Sequence, residues 1–252
     1  MIRGIRATFM FDTIILITGA TETPILSDVL RRGNPDLAVR PATSPAELLA
    51  LPADLLKRAR LIGYATDVLV PGRTLDALGY GAYNFHPGPP EYPGRTPAHF
   101  AIYDRATTFG TTAHVMVERV DAGPIVGIEA FDIPPGSDLT ELCELAYRRL
   151  ARLFWRLAPE LATRAEPLPT LPIRWRGRKS TARLYARMCD IPPDIARDEL
   201  ERRIAAFGTG HFGIDPTITL HGHRFAYVRS TTPADIEAPS IVPEQPVREA
   251  AE

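Results

Sequence analysis

Three short apolar runs, at residues 13–17, 60–64 and 81–85, constrain the fold of this chain most. Each is of strand length and consists mostly of apolar residues, as is typical of buried strands. Between the first two lie a helix-like stretch at 24–32, ended by Gly33-Asn34-Pro35, and a capping-box signature at Ser44-Pro45-Ala46-Glu47. This alternation predicts an α/β protein with a mostly parallel sheet and helices on both faces.

The second half of the chain extends this pattern and then departs from it. We predict strands at 111–116 and 125–133, and a helix at 138–161, where leucines recur at helical spacing. A proline-rich stretch at 166–172 is typical of an extended linker, and a helix at 195–207 and a hairpin at 217–220 and 224–228 follow it. We therefore expect a main domain of residues 1–166, a small C-terminal α+β extension of residues 167–230 and a disordered tail of residues 231–252.

Composition narrows the class of protein. The net charge is −1, so no global field attracts nucleic acid or an anionic membrane. The chain has no apolar run of membrane-spanning length and no good signal peptide. Cys143 and Cys189 have neither metal-ligand nor redox spacing. We expect a cytoplasmic protein that does not bind membranes.

The residues most suggestive of chemistry lie at the end of the third strand. Asn84 and His86 are two residues apart, so on a strand their side chains share one face, and a rigid loop rich in proline and glycine follows them. An amide beside an imidazole suits acyl transfer, because the amide can stabilise an oxyanion and the imidazole can hold a proton. Asp121, in a Gly-Pro turn, can orient a histidine and accept a proton. Polar groups that merely satisfy a loop, and an aspartate that only forms a turn, remain the alternatives.

Four blocks, in order and spacing, carry a resemblance to a known family. They are Asn84-x-His86-Pro87, Tyr92-Pro93-Gly94-x-x-Pro97, Gly110-Thr111-Thr112-x-His114 and Asp121-x-Gly123-Pro124-Ile125. Together they resemble the formyltransferases that use 10-formyltetrahydrofolate, a family that acts on glycinamide ribonucleotide, methionyl-tRNA or sugar nucleotides. The match runs from about residue 60 to residue 161.

The resemblance implies a Rossmann-like catalytic domain, 10-formyltetrahydrofolate as the formyl donor and Asn84, His86 and Asp121 as the catalytic trio. It also implies that the pterin ring is held largely by main chain, before the Asn-x-His strand and in the aspartate loop. The residues expected there are Thr66, Asp67, Leu69, Val70, Pro71, Glu118, Gly123 and Pro124. The chain departs from the family at Gly88-Pro89-Pro90-Glu91 and around Val70, where a segment is one residue shorter or shifted.

The acceptor is expected to be the primary amine of a small molecule, such as a nucleotide-linked amino sugar. The part after the linker is too small for the basic barrel of tRNA-acting relatives, and the net charge does not suit a tRNA backbone. A basic cluster of Arg174, Arg176, Arg178 and Lys179 can hold phosphates, and Trp175 can stack on a base or anchor a core. The alternatives are a methionyl-tRNA formyltransferase-like enzyme, a formyltetrahydrofolate hydrolase and a non-catalytic folate-binding module. The C-terminal hairpin can also support a homodimer.

The other histidines carry less information. His114 lies on a strand, where it lines the site or is a buried structural residue, and we place His99 on a helix surface. His221 and His223 flank a glycine in a predicted turn without a third ligand, so we expect no metal.

Overall fold

The structure is a computed structural model that describes residues 10–228, and its centre is a six-stranded sheet in the order β2-β1-β3-β4-β5-β6. The first four strands are parallel, and β5 and β6 run antiparallel to their neighbours. The strands are β1 (Thr13–Ile17), β2 (Ala38–Pro41), β3 (Ala59–Tyr64), β4 (Ala82–His86), β5 (Thr108–Val115) and β6 (Ile125–Asp132). The predicted mostly parallel, Rossmann-like sheet is confirmed.

Helices cover both faces of this sheet, as predicted. One face packs against α1 (Glu22–Gly33) and α6 (Leu139–Thr163) around Phe85 and Phe154. The other packs against α2 (Pro45–Leu49), α3 (Ala53–Leu56) and α4 (Gly72–Ala77) around Leu48 and Leu61. Helix α5 (Pro97–Tyr103) follows the proline-rich loop at the end of β4. Burial on both faces explains why β1 and β3 are continuous apolar runs rather than alternating ones.

The C-terminal part is small and mixed. It contains α7 (Ala182–Cys189), α8 (Arg197–Phe207), a 3-10 turn at His211–Gly213 and the strands β7 (Asp190–Ile191), β8 (Thr217–Leu220) and β9 (His223–Ala226). The three strands form a separate sheet in the order β7-β8-β9, so the predicted α+β extension and its hairpin are present. The predicted tail of residues 231–252 lies outside the described residues, and the domain boundaries stay a prediction.

Several elements were not predicted: β2, α3, α4, α7, β7 and the 3-10 turn. Strand β2 is an edge strand of four residues that contains an arginine and a proline, so it lacks the apolar signature of the buried strands. Helix α7 lies inside the arginine-rich stretch, so the helical spacing of its buried residues Leu184, Tyr185 and Cys189 is not apparent among the charged residues. In the capping box at α2, the Ser44 hydroxyl accepts from the Glu47 N–H, but the Glu47 carboxylate bonds Thr43 instead of Ser44.

The proline-rich stretch is extended, as predicted, but it is fastened to the main domain. Leu168 is buried and donates its N–H to the Tyr83 hydroxyl, and the Leu171 N–H donates to the Ile125 carbonyl. Further along, Ser180 pairs with Gly94 in a parallel β-bridge. We call residues 168–181 the strap, since they carry the chain across the sheet end to α7.

Among residues 10–228, no helix is both long and apolar enough to cross a membrane.

Candidate active site

Strand β4 delivers the first two predicted site residues to the carboxyl end of the parallel strands. Asn84 pairs in register with Gly63 of β3 on one side and with His114 of β5 on the other. A Cβ at Gly63 would come within 2.9 Å of the Asn84 amide oxygen and 2.7 Å of the Met116 methyl group, so a larger residue there would displace the Asn84 amide. Asn84 is half-buried, so its amide remains accessible from the adjoining cavities.

His86 is buried and held through one ring nitrogen. Its Nε2 lies 3.1 Å from the Tyr92 carbonyl oxygen, and because a carbonyl only accepts, Nε2 carries a proton. Its Nδ1 faces the Asp121 carboxylate at 3.7 Å, which is beyond hydrogen-bonding distance. Burial lowers the pKa of His86, although the nearby Asp121 charge acts to raise it. The imidazole is therefore predominantly neutral near pH 7.

Asp121 lies in the loop between β5 and β6 in a left-handed conformation, with φ of 49°. Its carboxylate accepts a hydrogen bond from the Gly94 N–H at 2.7 Å and lies 3.2 Å from Nε2 of His114. Burial acts to raise the pKa of Asp121, but the charge of His86, the hydrogen bond and charge of His114, and the Gly94 hydrogen bond together lower it to about 2. Asp121 is thus an ionised carboxylate in a nearly dry environment.

His114 and Trp175 complete this cluster. Nδ1 of His114 donates to the Val115 carbonyl at 2.9 Å, and Nε2 lies 3.3 Å from the Asn84 amide nitrogen. The Trp175 indole packs edge-on against His114 and His86 at 5.0 and 5.6 Å, and its N–H donates to the Gly123 carbonyl. Sequence reasoning left both alternatives open for His114 and did not place Trp175 at the site, since the strap that delivers it looked like a linker.

Two cavities meet at Asn84 and Asp121. The smaller, of about 280 Å³, lies between the 66–70 segment and the 116–121 loop, and the larger, of about 440 Å³, extends toward α5, the strap and the 3-10 turn. Both are lined by Asn84 and Asp121, whereas His114 lines only the smaller and His86 only the larger. Two molecules bound in these cavities would thus approach each other beside an amide, an imidazole and a carboxylate.

The residues expected to hold a pterin divide into two groups. Five of the eight border the cavities: Thr66, Leu69, Val70 and Glu118 line the smaller one, and Asp67 lines the larger one. Pro71, Gly123 and Pro124 line neither of them. Pro71 caps α4, and the Pro124 carbonyl accepts from the Val115 N–H. The role of each residue stays a prediction.

The basic cluster divides in a similar way. Lys179 lines the larger cavity, and its ammonium donates to the Val120 carbonyl, whereas Arg174 and Arg176 lie outside that cavity. Arg176 forms an ion pair with Glu91, which belongs to the segment Gly88-Pro89-Pro90-Glu91 that differs from the family pattern. That segment therefore supports the strap and does not line either cavity. Arg95 is a cation that the sequence did not single out; it lines the larger cavity and forms an ion pair with Asp67 at 3.1 Å.

The remaining histidines occupy different surroundings. The prediction that His99 lies on a helix surface is wrong, since His99 is 6% exposed and its ring packs against aromatic residues of the C-terminal part. The aromatic residues that cover His99 are Tyr185 and Phe207, which come from far along the chain, so the local sequence gives no sign of its burial. His221 and His223 are exposed at the β8–β9 turn. In the described part of the chain, no group of three or more His, Cys, Asp or Glu residues is arranged to hold a metal ion.

Comparison with known proteins gives a family match over the centre of the chain. Residues 58–151 match the family model described as Formyl transferase. The chain is also 31% identical over 145 residues to the methionyl-tRNA formyltransferase of Bacillus licheniformis, which covers 56% of this chain and 44% of that relative. The chain thus spans less than half the length of this relative.

Solved structures share the fold over almost the whole chain. A sugar N-formyltransferase from Shewanella sp FDAARGOS_354 aligns with a TM-score of 0.69 and 15% identity, over 88% of this chain and 98% of that one. An N-formyltransferase from Helicobacter canadensis, in complex with folinic acid and dTDP-3-aminofucose, aligns with a TM-score of 0.59 and 13% identity, over 84% and 85% of the two chains. At these identities the likeness concerns the fold.

Proposed function

Residues 58–151 of this chain belong to the formyl transferase family, and on that basis we propose that the protein transfers a formyl group from 10-formyltetrahydrofolate to the primary amine of a small molecule. The observation that carries the proposal is the meeting of two cavities at Asn84 and Asp121. A transfer between two substrates needs two binding places that open on one set of reacting groups.

The smaller cavity suits the pterin of the donor. Its walls are largely apolar, with Val68, Leu69, Val70, Leu75, Met116 and Val117 among the lining residues. Thr66 and Glu118 supply polar groups at the same place. Leu69, Val117 and Val120 are exposed apolar side chains that flank this cavity, which suits contact with the aromatic part of a folate beyond the pterin.

The chemistry follows from the three groups where the cavities meet. The neutral amine attacks the formyl carbon, a carbon–nitrogen bond forms, and the carbonyl oxygen becomes an oxyanion. The Asn84 amide donates to that oxyanion. The ionised Asp121 stabilises the positive charge on the attacking nitrogen and passes its proton to Nδ1 of His86, which faces the carboxylate. His86, whose Nε2 already holds the Tyr92 carbonyl, then donates from Nδ1 to the oxyanion. When the bond to N10 of the folate breaks, this same proton moves to N10, and tetrahydrofolate leaves.

A small acceptor is favoured over a tRNA by what surrounds the larger cavity. Arg95 and Lys179 line it, enough cationic groups for a phosphate or two, whereas Arg174 and Arg176 lie outside it. The net charge of −1 does not favour a long polyanion. The Helicobacter neighbour, crystallised with a nucleotide-linked amino sugar, supports the same class of acceptor. Methionyl-tRNA is the second candidate, because the relative at 31% identity is a methionyl-tRNA formyltransferase.

A formylation assay tests the proposal. Purified protein is incubated with 10-formyltetrahydrofolate and, in separate reactions, dTDP-3-aminofucose, other nucleotide-linked amino sugars, simple amines, initiator methionyl-tRNA and no acceptor. We expect tetrahydrofolate and a formylated product only with a nucleotide-linked amino sugar. Preference for the tRNA would replace the small-molecule acceptor with the second candidate. Tetrahydrofolate and formate released equally without any acceptor would indicate a hydrolase.

A further inference from the structure

One wall of the larger cavity contains an imidazole that no described protein group hydrogen-bonds. Both ring nitrogens of His99 are buried and have no partner among the described residues, and the Thr96 hydroxyl is in the same state. Thr96 is the N-cap of α5 and His99 the third residue of that helix, so the two lie at its first turn. Both line the larger cavity. Buried polar groups are nearly always paired, so three unpaired atoms at one cavity indicate that a ligand supplies the partners.

The residues around His99 hold its ring in place by packing and form no hydrogen bond with it. Its ring lies over Phe207 of α8 and edge-on to Tyr185 of α7, with centroid distances of 6.3 and 5.5 Å. His211 of the 3-10 turn lies 5.0 Å away and also lines the cavity. The wall is therefore built jointly by α5 and by the C-terminal part of the chain. A histidine with a purely structural role would be expected to use at least one ring nitrogen within the protein.

The cavity wall beyond His99 is aromatic. Phe212, next to His211, lines the cavity and is 39% exposed, and it adopts a left-handed conformation with φ of 61°. The Arg95 guanidinium lies over the Phe212 ring at 5.3 Å and also binds Asp67. Arg95 thus fastens the 3-10 turn to the main domain, and Phe212 lines the same cavity as His99. An apolar surface beside a few fixed polar groups is the usual composition of a site for a small organic ligand.

We propose that Thr96, His99 and the His211–Phe212 turn form a subsite for the hydroxylated ring of the acceptor, and that His99 binds its hydroxyl groups. This inference rests on the proposed function, since it identifies what the larger cavity holds. A neutral imidazole offers one N–H donor and one lone pair, and a hydroxyl offers the same pair, so neighbouring hydroxyls of a sugar satisfy both ring nitrogens and the Thr96 hydroxyl.

A phosphate fits this place less well. It presents only acceptors when ionised, so it would need a second proton on His99. Burial, with a smaller contribution from His211, lowers the pKa of His99 to about 4, which opposes that proton. The cations of the cavity, Arg95 and Lys179, lie on the loop after β4 and on the strap, where they can bind a phosphate next to the sugar.

Binding measurements on the free protein test this subsite without requiring turnover. Calorimetry compares dTDP-3-aminofucose and two other nucleotide-linked amino sugars with dTDP alone, for the unaltered protein, for His99→Leu and for the control His221→Leu, which changes an exposed histidine at the β8–β9 turn. We expect at least one amino sugar to bind about tenfold or more tighter than dTDP, and His99→Leu to remove that advantage, as loss of one or two hydrogen bonds would. The affinity for dTDP should stay unchanged in all three proteins.

Three results would overturn the subsite. They are amino sugars that bind no tighter than dTDP to the unaltered protein, an advantage that survives His99→Leu, and an equal loss of affinity for dTDP, which would make His99 a phosphate ligand.

Denaturant unfolding adds a second readout. His99→Leu should unfold at the same or higher denaturant concentration, because it removes unpaired polar atoms, whereas loss of a structural histidine would lower that concentration. Sugar-selective binding without formyl transfer would reject the proposed function and keep the subsite.

Discussion

Oδ1 of Asp121 lies 3.2 Å from Nε2 of His114, closer than Oδ2 lies to Nδ1 of His86, at 3.7 Å. The carboxylate is therefore held by His114 and by the Gly94 N–H, and its remaining contact is directed at His86 and at the junction of the two cavities. This arrangement gives Asp121 a fixed position and a fixed charge before any substrate binds.

The charge of Asp121 makes the free energy of unfolding depend on pH in the acidic range. Its pKa in the folded protein is lowered to about 2 from an ordinary value of 3.8, so its ionised form stabilises the fold above pH 4, and this contribution is lost as the pH falls from about 4 to about 2. The contribution is on the order of 2 kcal/mol. The difference in unfolding free energy between the unaltered protein and Asp121→Asn should shrink over that range, as measured by denaturant unfolding at a series of pH values. A difference that stays constant between pH 5 and pH 3 would contradict it.

Removing any one of the three central side chains should abolish most turnover while the fold survives. Loss of one oxyanion donor costs about 10²–10³ in rate, and we expect Asn84→Ala, His86→Ala and Asp121→Ala each to lower kcat by at least that factor. Circular dichroism should show unchanged secondary structure. His223→Ala, at an exposed position on the hairpin, is the matched control and should retain full turnover. Near-normal turnover of His86→Ala would remove His86 from the mechanism.

The protonation of His86 should be visible through Trp175. The chain has two tryptophans, Trp155 and Trp175, so Trp155→Phe leaves only the indole that packs on His86. A protonated imidazole quenches a neighbouring indole, and burial lowers the pKa of His86. Trp175 fluorescence is measured against pH in Trp155→Phe, with and without His86→Gln. The difference between the two curves reports His86, and its midpoint should lie below pH 6.5, the ordinary pKa of histidine. A midpoint above pH 6.5 would mean that the Asp121 charge outweighs burial.

Arg60 should be among the most costly cations to remove. Its side chain is fully buried, and its guanidinium donates to the carbonyls of Tyr80 and Leu161, the latter in the last turn of α6. Arg60→Met leaves both carbonyls unpaired, at about 1–3 kcal/mol each, so the free energy of unfolding should fall by about 2–6 kcal/mol. The control Arg148→Met, on the exposed face of α6, should change it by less than about 0.5 kcal/mol. Equal effects of the two changes would contradict this account.

Gly94 should be needed for both stability and turnover. It has φ of 97°, its N–H donates to Asp121, and a Cβ would collide with the Ser180 carbonyl of the strap. Gly136 has a similar φ of 83° with open space around it. Gly136→Ala should therefore cost only about 1 kcal/mol, whereas Gly94→Ala should cost more and also lower kcat, because it displaces Asp121. Thermal unfolding and turnover of the two variants decide the comparison.

The sequence allowed the prediction of the elements that local pattern specifies. Strand β1 was predicted with its exact bounds, and α6 was predicted within two residues of its ends, because burial on both faces and regular leucine spacing leave clear signatures. Edge strand β2 and helix α7 have weak signatures and were missed. The burial of His99 and the placement of Trp175 depend on partners from distant parts of the chain, such as Phe207 and Gly123. No periodicity in a single sequence reports such contacts.

The strap has a consequence for how acceptor preference can be exchanged between relatives. Residue 166 looks like a natural junction for a chimera, since the sheet domain ends before it. A cut there, however, would replace Trp175, which covers both site histidines, together with Ser180, which pairs with Gly94 beside Asp121. A functional transplant of the C-terminal part should therefore begin after residue 181, so that the recipient keeps its own strap and receives only the helices and the 3-10 turn, whose His211 and Phe212 line the larger cavity.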